Sequence, residues 1–517
     1  MDTDVIVAGA GPTGLMLAAE LRLAGVRALV LERRARSRDV EKAGGLGGQI
    51  LRLLHYRGLL DRFSEASIDP NPAPRFPFGD VHLDFTRLAD PPMRAIQLPQ
   101  PRLEGLLDER ARELGAAARR GHEVVGVSQD DTGVTVDVRG PDGPYRVRAG
   151  YLVGCDGGRS AVRDLAGIAF PGTTYPEVQR IGQVTVPDGV TLLDDGALDV
   201  PGWGRIGWGY TRTDRGVFAL GSHSPGVLFL FTTEDESTEY DDDTPMTLTE
   251  LHDSVRRVLG VDLPVGEPLR LSRFTFQARQ VDRYREGRVF LAGDAAHLFP
   301  ATGVALNAGM LDTVNLAWKL AAGVNGWAPE GLLETYHDER HLAGERTLLH
   351  TRAQVALRRG QDPAAEALRQ VFRELLADEQ PLRRMGGFVS GSDLRYPVPG
   401  ADRHAVVGTF APDLTLHTGE GTTSVAELMH PARPVLLDLA DRRELREVAR
   451  ERGHRVDVHT AGTDDRPADA LLIRPDAHVA WAAPVDEPAE TAAATLREAL
   501  ARWFGTRAAM SSGVTAS

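Results

Sequence analysis

A single cysteine, Cys155, in 517 residues leaves no intrachain disulfide and no cysteine-built zinc site. A reduced, cytoplasmic setting is the expectation. No apolar run approaches the roughly 20 residues that cross a bilayer, so no membrane partner is expected. The opening Met1-Asp2-Thr3-Asp4 carries no basic residue, and the apolar run behind it enters a glycine loop instead of a cleavage site. No secretory signal is therefore expected. Basic residues are outnumbered 59 to 73, and the net charge of -14 argues against a nucleic-acid surface. Zinc-type histidine spacing, internal repeats and low-complexity tracts are missing too, so no metal site is expected. What the chain has in quantity is glycine, 55 residues of it.

Two glycine-rich stretches at distant places carry the chemistry. Gly9-Ala10-Gly11-Pro12-Thr13-Gly14 follows the apolar run Asp4-Val5-Ile6-Val7-Ala8 and precedes a helical pattern to Leu23 that Gly25 ends. Arg27 to Glu32 reads as the next strand, giving a βαβ start and a parallel sheet. In that context Gly9 permits the tight turn, Gly11 lets backbone approach a pyrophosphate, and Gly14 lets helix and strand pack closely. The helix N-terminus offers free N–H groups to the phosphates. Glu32, 18 positions after Gly14, supplies a carboxylate for ribose hydroxyls. These features fit NAD and FAD equally.

The second stretch, Gly287-Arg288-Val289-Phe290-Leu291-Ala292-Gly293-Asp294-Ala295-Ala296-His297, favours FAD. A strand ending in Gly293-Asp294 puts Asp294 at a carboxyl-terminal strand edge, where α/β sheets bind ligands, within reach of a ribityl hydroxyl. The segment from Pro300 to Asn307 then enters a helix whose N-terminus would face the flavin ring and stabilise negative charge on it. A third stretch, Tyr151 to Arg163, runs from a strand through Asp156-Gly157-Gly158 into a helix. Asp156 either caps that helix or reaches a pyrophosphate through its neighbours. His297 reads as a packed or hydrogen-bonded histidine, since no acid or nucleophile motif accompanies it.

Between these motifs, residues 72–96 read as short β structure, 102–114 as a helix, and 176–270 as a mostly β region holding Trp203, Trp208, Tyr210, Phe218, Phe229 and Phe231. Those aromatics read first as core. Helical patterns run from Leu306 to about Leu357 and from Pro363 to Leu376. A Ser-, Gly- and Pro-rich stretch from Ser390 to Gly400 separates a small C-terminal α/β segment, with strands at Val435–Leu439 and Ala470–Ile473. The tail from Ala508 reads as disordered.

The three motifs in this order, with Leu152-Val153-Gly154-Cys155-Asp156-Gly157-Gly158-Arg159-Ser160 as the Asp-Gly motif, resemble the group A flavoprotein monooxygenases of the para-hydroxybenzoate hydroxylase fold. Bacterial aromatic polyketide hydroxylases and rifampicin monooxygenases are the most similar branch. Supporting stretches are Asp312 to Leu320, Tyr336 to Arg340 and Leu472 to Trp481. The resemblance implies an α/β fold: a discontinuous Rossmann-like FAD-binding domain (1–71, 97–175 and 271–390) and an inserted β-rich substrate domain (72–96 and 176–270). A thioredoxin-like C-terminal domain (396–507), without cysteine and so without dithiol chemistry, and a tail (508–517) follow.

The resemblance further implies that Gly9, Gly11, Pro12, Thr13, Gly14 and Glu32 hold the ADP half of FAD. Arg33 and Lys42 lie near its ribose and pyrophosphate, and Val124 near adenine. Gln100, Asp156, Gly293 and Asp294 serve the ribityl and phosphate region, and Pro300, Gly303, Leu306 and Asn307 border the isoalloxazine. Gly45, Leu46 and Pro300 would face a polycyclic aromatic substrate. NADPH would reduce the flavin, and O2 would form a flavin C4a-hydroperoxide that delivers one oxygen atom. The cofactor supplies that chemistry, so no acid–base pair is assigned; a phenolic substrate supplies its own electron push. Baeyer–Villiger or rearranging oxygenation, inactivation of a rifamycin-like antibiotic, and a non-catalytic FAD-binding role are the alternatives, in a monomer or homodimer. Two departures from the family pattern stand out. Thr302-Gly303-Val304-Ala305 replaces Gly-Gly-Gln-Gly, adding bulk beside the flavin, and Lys42 replaces an arginine, keeping the charge without the planar fork.

Overall fold

Four consecutive apolar residues, all buried, make the first strand, β1 (Val5–Ala8). The chain turns at Gly9, whose φ of 103° lies in the left-handed region, and enters α1 (Pro12–Leu23) with Pro12 in the first turn and no side chain capping the start. Gly25, at φ 78°, ends it, and β2 (Ala28–Glu32) returns parallel to β1. α2 (Gln49–Tyr56) follows. Much later β3 (Tyr151–Gly154) pairs parallel with β1, and β4 (Val289–Leu291) pairs parallel with β3. The Arg285–Glu286 strand, antiparallel to β4, and Ala118–Arg120, parallel to β2, close the two edges of a six-stranded sheet. Two long helices, α3 (Ala305–Val324) and α4 (Thr335–Arg358), come next. The structure is a computed structural model. It describes the chain except residues 38–43, 72–74, 194–196, 202–203, 208, 225, 235–243, 301–302, 361, 452–454 and 506–517, and the side chains of 210 and 222–224.

Seven further sheets are present among the described residues, and three of them are large or central to the domains. One is an antiparallel three-stranded sheet over 123–149. A second has six strands, with Gly172–Thr185 paired to Pro268–Gln280 on one side and to Val227–Glu234 on the other, and the amphipathic helix Leu248–Leu259 buries Leu251, Val255 and Val258 against it. Gly172–Thr185 runs across position 175 and Pro268–Gln280 across position 270. The third is a four-stranded mixed sheet between 435 and 483, flanked by helices Arg443–Arg450 and Ala489–Phe504. The hairpin Arg75–Phe78/Val81–Asp84 shares an apolar cluster with Leu348 and Leu357 of α4 and with Leu376, Leu382 and Val389.

The helical pattern read continuously from Leu306 to Leu357 is two helices. The segment 325–334 between them holds Gly326 and Gly331, both at positive φ, and Pro329. Phe218 is core at 0% exposure, as the aromatic run suggested. Trp203, Trp208 and the tail lie outside the described residues. Among the described residues no helix is long and apolar enough to cross a membrane, and no group of three His, Cys, Asp or Glu side chains could hold a metal ion.

A single continuous apolar core joins the parallel sheet to the C-terminal sheet. Its polar seams are specific. Arg57, at the end of α2, pairs with Glu20 of α1 and donates to the carbonyls of Met429 (3.2 Å) and Pro475 (2.7 Å). The Tyr56 hydroxyl donates to the Ala411 carbonyl at 2.7 Å. The N-terminal helices and the C-terminal segment are therefore stitched together through buried donors.

Candidate cofactor and active site

The glycine loop explains itself sterically. A Cβ on Gly14 would stand 1.9 Å from the Gly9 carbonyl oxygen, and one on Gly9 2.4 Å from the Cys155 carbonyl oxygen. These two glycines are demanded by packing. Gly11 differs: its backbone is ordinary, φ -78°, and a Cβ there would meet nothing within 4 Å. That position faces an open cradle at the uncapped start of α1, where N–H groups and the helix dipole favour an anion. A pyrophosphate fits this cradle, and a side chain would fill it.

Gly293, far away in sequence, packs directly on this loop. A Cβ on Gly293 would come 2.7 Å from the Thr13 hydroxyl oxygen, and one on Gly309 of α3 2.8 Å from the same atom. Thr13, Gly293 and Gly309 thus form a three-way junction between the two motifs and α3. Asp294, next to it, is exposed; it lies in the short helical turn Gly293–Ala295 just beyond β4, which ends at Leu291 and not at Gly293-Asp294 as the sequence suggested. Asp312 of α3 holds the junction from below: its carboxylate accepts the Gly293 N–H at 2.9 Å and pairs with His297 Nε2 at 2.7 Å. Burial pushes the Asp312 carboxyl up, but the charges of Arg340 and His297 outweigh it and leave it below its ordinary value. His297 is indeed packed, stacking on Phe299, yet it has an acid partner that the sequence did not reveal.

At one end of this junction lies Glu32. Its carboxylate, 8% exposed, accepts the N–H of Ala10 and that of Arg34, each at 2.9 Å. The Gly121 and His122 N–H groups donate to the carbonyls of Arg34 and Glu32, bringing the strand that holds Val124 alongside. Arg33 is exposed here; Lys42 lies outside the described residues. At the other end Leu46-Gly47 meets the start of α3, where the Gly47 N–H donates to Asn307 Oδ1 at 3.4 Å and Asn307 Nδ2 donates to the Gly303 carbonyl at 2.8 Å. Gly303, at φ 86°, has open space where a Cβ would be, whereas Val304 is buried in the apolar cluster and Ala305 half-buried against it. Pro300 is buried, Leu306 and Gly45 half-buried. A small, partly open cleft of ≈ 80 Å³ lies beside Gly47, Gly303, Val304 and Asn307.

Two expected contributors are engaged locally. Asp156 accepts from the Ser160 hydroxyl at 2.5 Å and the Val162 N–H at 3.1 Å, while Ser160 caps the helix through the Arg163 N–H. Burial raises the Asp156 carboxyl above its ordinary value. The Gln100 amide donates to Glu104 at 2.8 Å. Cys155 is buried, which pushes its thiol well up and leaves it a packing residue.

Contacts thus connect Glu32, the Gly11–Thr13 loop, Gly293 and the start of α3 at Asn307, bringing two distant chain segments together in one candidate site. Residues 2–351 match the FAD binding domain family, and residues 404–507 match the family described as aromatic-ring hydroxylase, C-terminal. The chain is 41% identical over 520 residues to the 12-dehydrotetracycline 5-monooxygenase/anhydrotetracycline 6-monooxygenase of Streptomyces rimosus, covering 98% of this chain and 99% of the relative. It is 38% identical to a dialkyldecalin synthase of Streptomyces rugosporus over 98% and 99% of the two chains. The crystal structure of CabE, an aromatic hydroxylase from angucycline biosynthesis, superposes with a TM-score of 0.87 at 38% identity, covering 98% of this chain and all of that one. The chain belongs to the FAD-dependent monooxygenase family.

Proposed function

We propose that this enzyme is an FAD- and NADPH-dependent monooxygenase that hydroxylates a polycyclic aromatic, polyketide-type substrate in natural-product biosynthesis. The observation that carries the reading is the junction of Thr13, Gly293 and Gly309, which aligns an open pyrophosphate cradle at Gly11 with the Gly303–Asn307 turn. When bound, FAD supplies hydride acceptance from NADPH and activation of O2. The N–H groups at the start of α1 hold its pyrophosphate, Glu32 its adenosine ribose, with Arg33, Lys42 and Val124 around that half. Asp294 and Gly293 hold the ribityl chain. Gly303, Leu306, Asn307 and Pro300 border the ring, and the N-terminus of α3 favours negative charge on it. Gly45, Leu46 and Pro300 orient the aromatic substrate and keep water from the ring. No side chain is given a proton-transfer role, because a phenol brings its own electron push. The C-terminal segment, read as a thioredoxin-like domain (396–507), serves as a brace; its shared core and the Pro475 carbonyl that accepts from buried Arg57 support this.

Polycyclic phenols added to the FAD-loaded enzyme should accelerate NADPH oxidation, with a hydroxylated product for one of them. One relative is named a synthase, not a monooxygenase; with the altered Gly303-Val304-Ala305 loop, this favours a second reading for this chain, a non-catalytic FAD-binding role. Tight FAD with no substrate-stimulated NADPH oxidation across the panel would favour that reading instead.

A further inference from the structure

Beneath the Gly293 junction runs a chain of buried polar groups that the proposed chemistry does not use. Arg340 of α4, 3% exposed, donates through Nε to Asp312 Oδ1 at 2.6 Å, through Nη1 to the Tyr396 hydroxyl at 2.9 Å and through Nη2 to the Ala308 carbonyl at 3.2 Å. Its three nitrogens thus touch α3 at two places and Tyr396, in the stretch leading to the C-terminal segment. Tyr396 is itself fixed: its backbone N–H donates to the Gly408 carbonyl at 2.8 Å and its ring stacks on His478 at 4.3 Å. Glu339, the neighbour of Arg340, is gripped by Arg474 at 2.6 and 2.8 Å and by Lys319 at 2.8 Å. Arg474 and His478 both come from the C-terminal segment.

We propose that Arg340 is a positioning residue for the flavin half of the site: it transmits the placement of Tyr396 to Asp312, and through Asp312 to the Gly293-Asp294 turn. The Asp312 carboxylate uses one oxygen for Arg340 and the other for the Gly293 N–H and His297. A rotation of that carboxylate therefore moves the turn that presents Asp294. A bidentate or forked guanidinium fixes such a group in orientation as well as charge, which a lysine cannot do. The network hydrogen-bonds directly to the Gly293 turn and reaches the Gly11 loop only through the packing of Gly293 and Gly309 on Thr13, so the Gly293 side should respond more than the Gly11 and Glu32 side. The inference rests on the reading that Asp294 serves the ribityl side and Glu32 the ADP side.

The test uses full-length apoprotein and measures binding. Arg340→Ala would strand a buried carboxylate and risks misfolding, so Tyr396→Phe and Arg340→Lys are the variants. Each is titrated with FAD and, separately, with ADP, and the apoprotein melting temperature is recorded. The expected result is FAD binding weakened about tenfold, equivalent to about 1.4 kcal/mol, with ADP binding weakened far less. Equal weakening of FAD and ADP would mark the network as general scaffolding and overturn the proposal, as would unchanged FAD binding. Failure of the wild-type protein to bind FAD would instead overturn the reading of the site on which the proposal rests.

Discussion

Gly11→Ala separates folding from cofactor binding. The added Cβ meets no atom within 4 Å, and the residue's φ of -78° suits alanine. Stiffening the unfolded chain gains about 0.4–1 kcal/mol, and replacing glycine by alanine at a helix N-cap costs a comparable few tenths to about 1 kcal/mol. The apoprotein should therefore melt as the wild type does. The same Cβ fills the cradle where backbone must approach a pyrophosphate. Wild-type protein in FAD at a hundredfold excess over Kd gains about 2.7 kcal/mol from binding, and the variant should lose nearly all of it. Gly14→Ala is the control: its Cβ would overlap the Gly9 carbonyl at 1.9 Å, costing about 1–3 kcal/mol or more even without cofactor. Urea denaturation of both variants, with and without FAD, reads the two effects. Wild-type FAD stabilisation in Gly11→Ala, or an apo destabilisation equal to that of Gly14→Ala, would refute the cradle.

Other perturbations have equally specific outcomes. Glu32→Ala strands the buried N–H of Ala10 and the part-buried one of Arg34; it should cost about 1–3 kcal/mol of apo stability and weaken FAD by calorimetry, with Glu32→Gln intermediate. Arg57→Ala leaves Glu20 buried and unpaired and frees two C-terminal carbonyls, so chemical denaturation should show a loss of about 3–5 kcal/mol. His350, 3% exposed, is held down to about 4 by burial and, second, by the charge of Arg346. Its folded value lies below the ordinary 6.5, so between those values the unfolded chain binds the proton and the folded one does not. Stability is full above pH 6.5 and falls towards pH 4, by roughly 3 kcal/mol from this group; His350→Gln should flatten that part of the pH–stability curve.

Much of the frame was legible because it follows from local chemistry. An apolar run, a glycine turn and a helix between Val5 and Leu23 permit few other folds, and the spacing to Glu32 follows from the length of α1. The break between α3 and α4 was also written in Gly326, Pro329 and Gly331, but the apolar periodicity on both sides masked it. The polar network was not legible. Asp312, Arg340 and Tyr396 belong to three separate segments, and nothing local says that they meet. Its one signal was charge in the wrong place: Asp312 and Lys319 are the charged residues of the largely apolar α3, and both are fully buried. A charge on a buried helix face needs a partner, so such positions mark where distant segments must supply one. The shared core between the parallel sheet and the C-terminal sheet was hidden for a similar reason: it depends on helix faces packing together, not on strand pairing.

Oxygen incorporation tests the central claim most directly. The FAD-loaded enzyme is given NADPH, isotopically heavy dioxygen and a panel of polycyclic phenols, and the products are weighed. The account predicts that one phenol accelerates NADPH oxidation and gains a single labelled oxygen atom. FAD held tightly, with no label entering any product and no phenol changing NADPH oxidation, would contradict it.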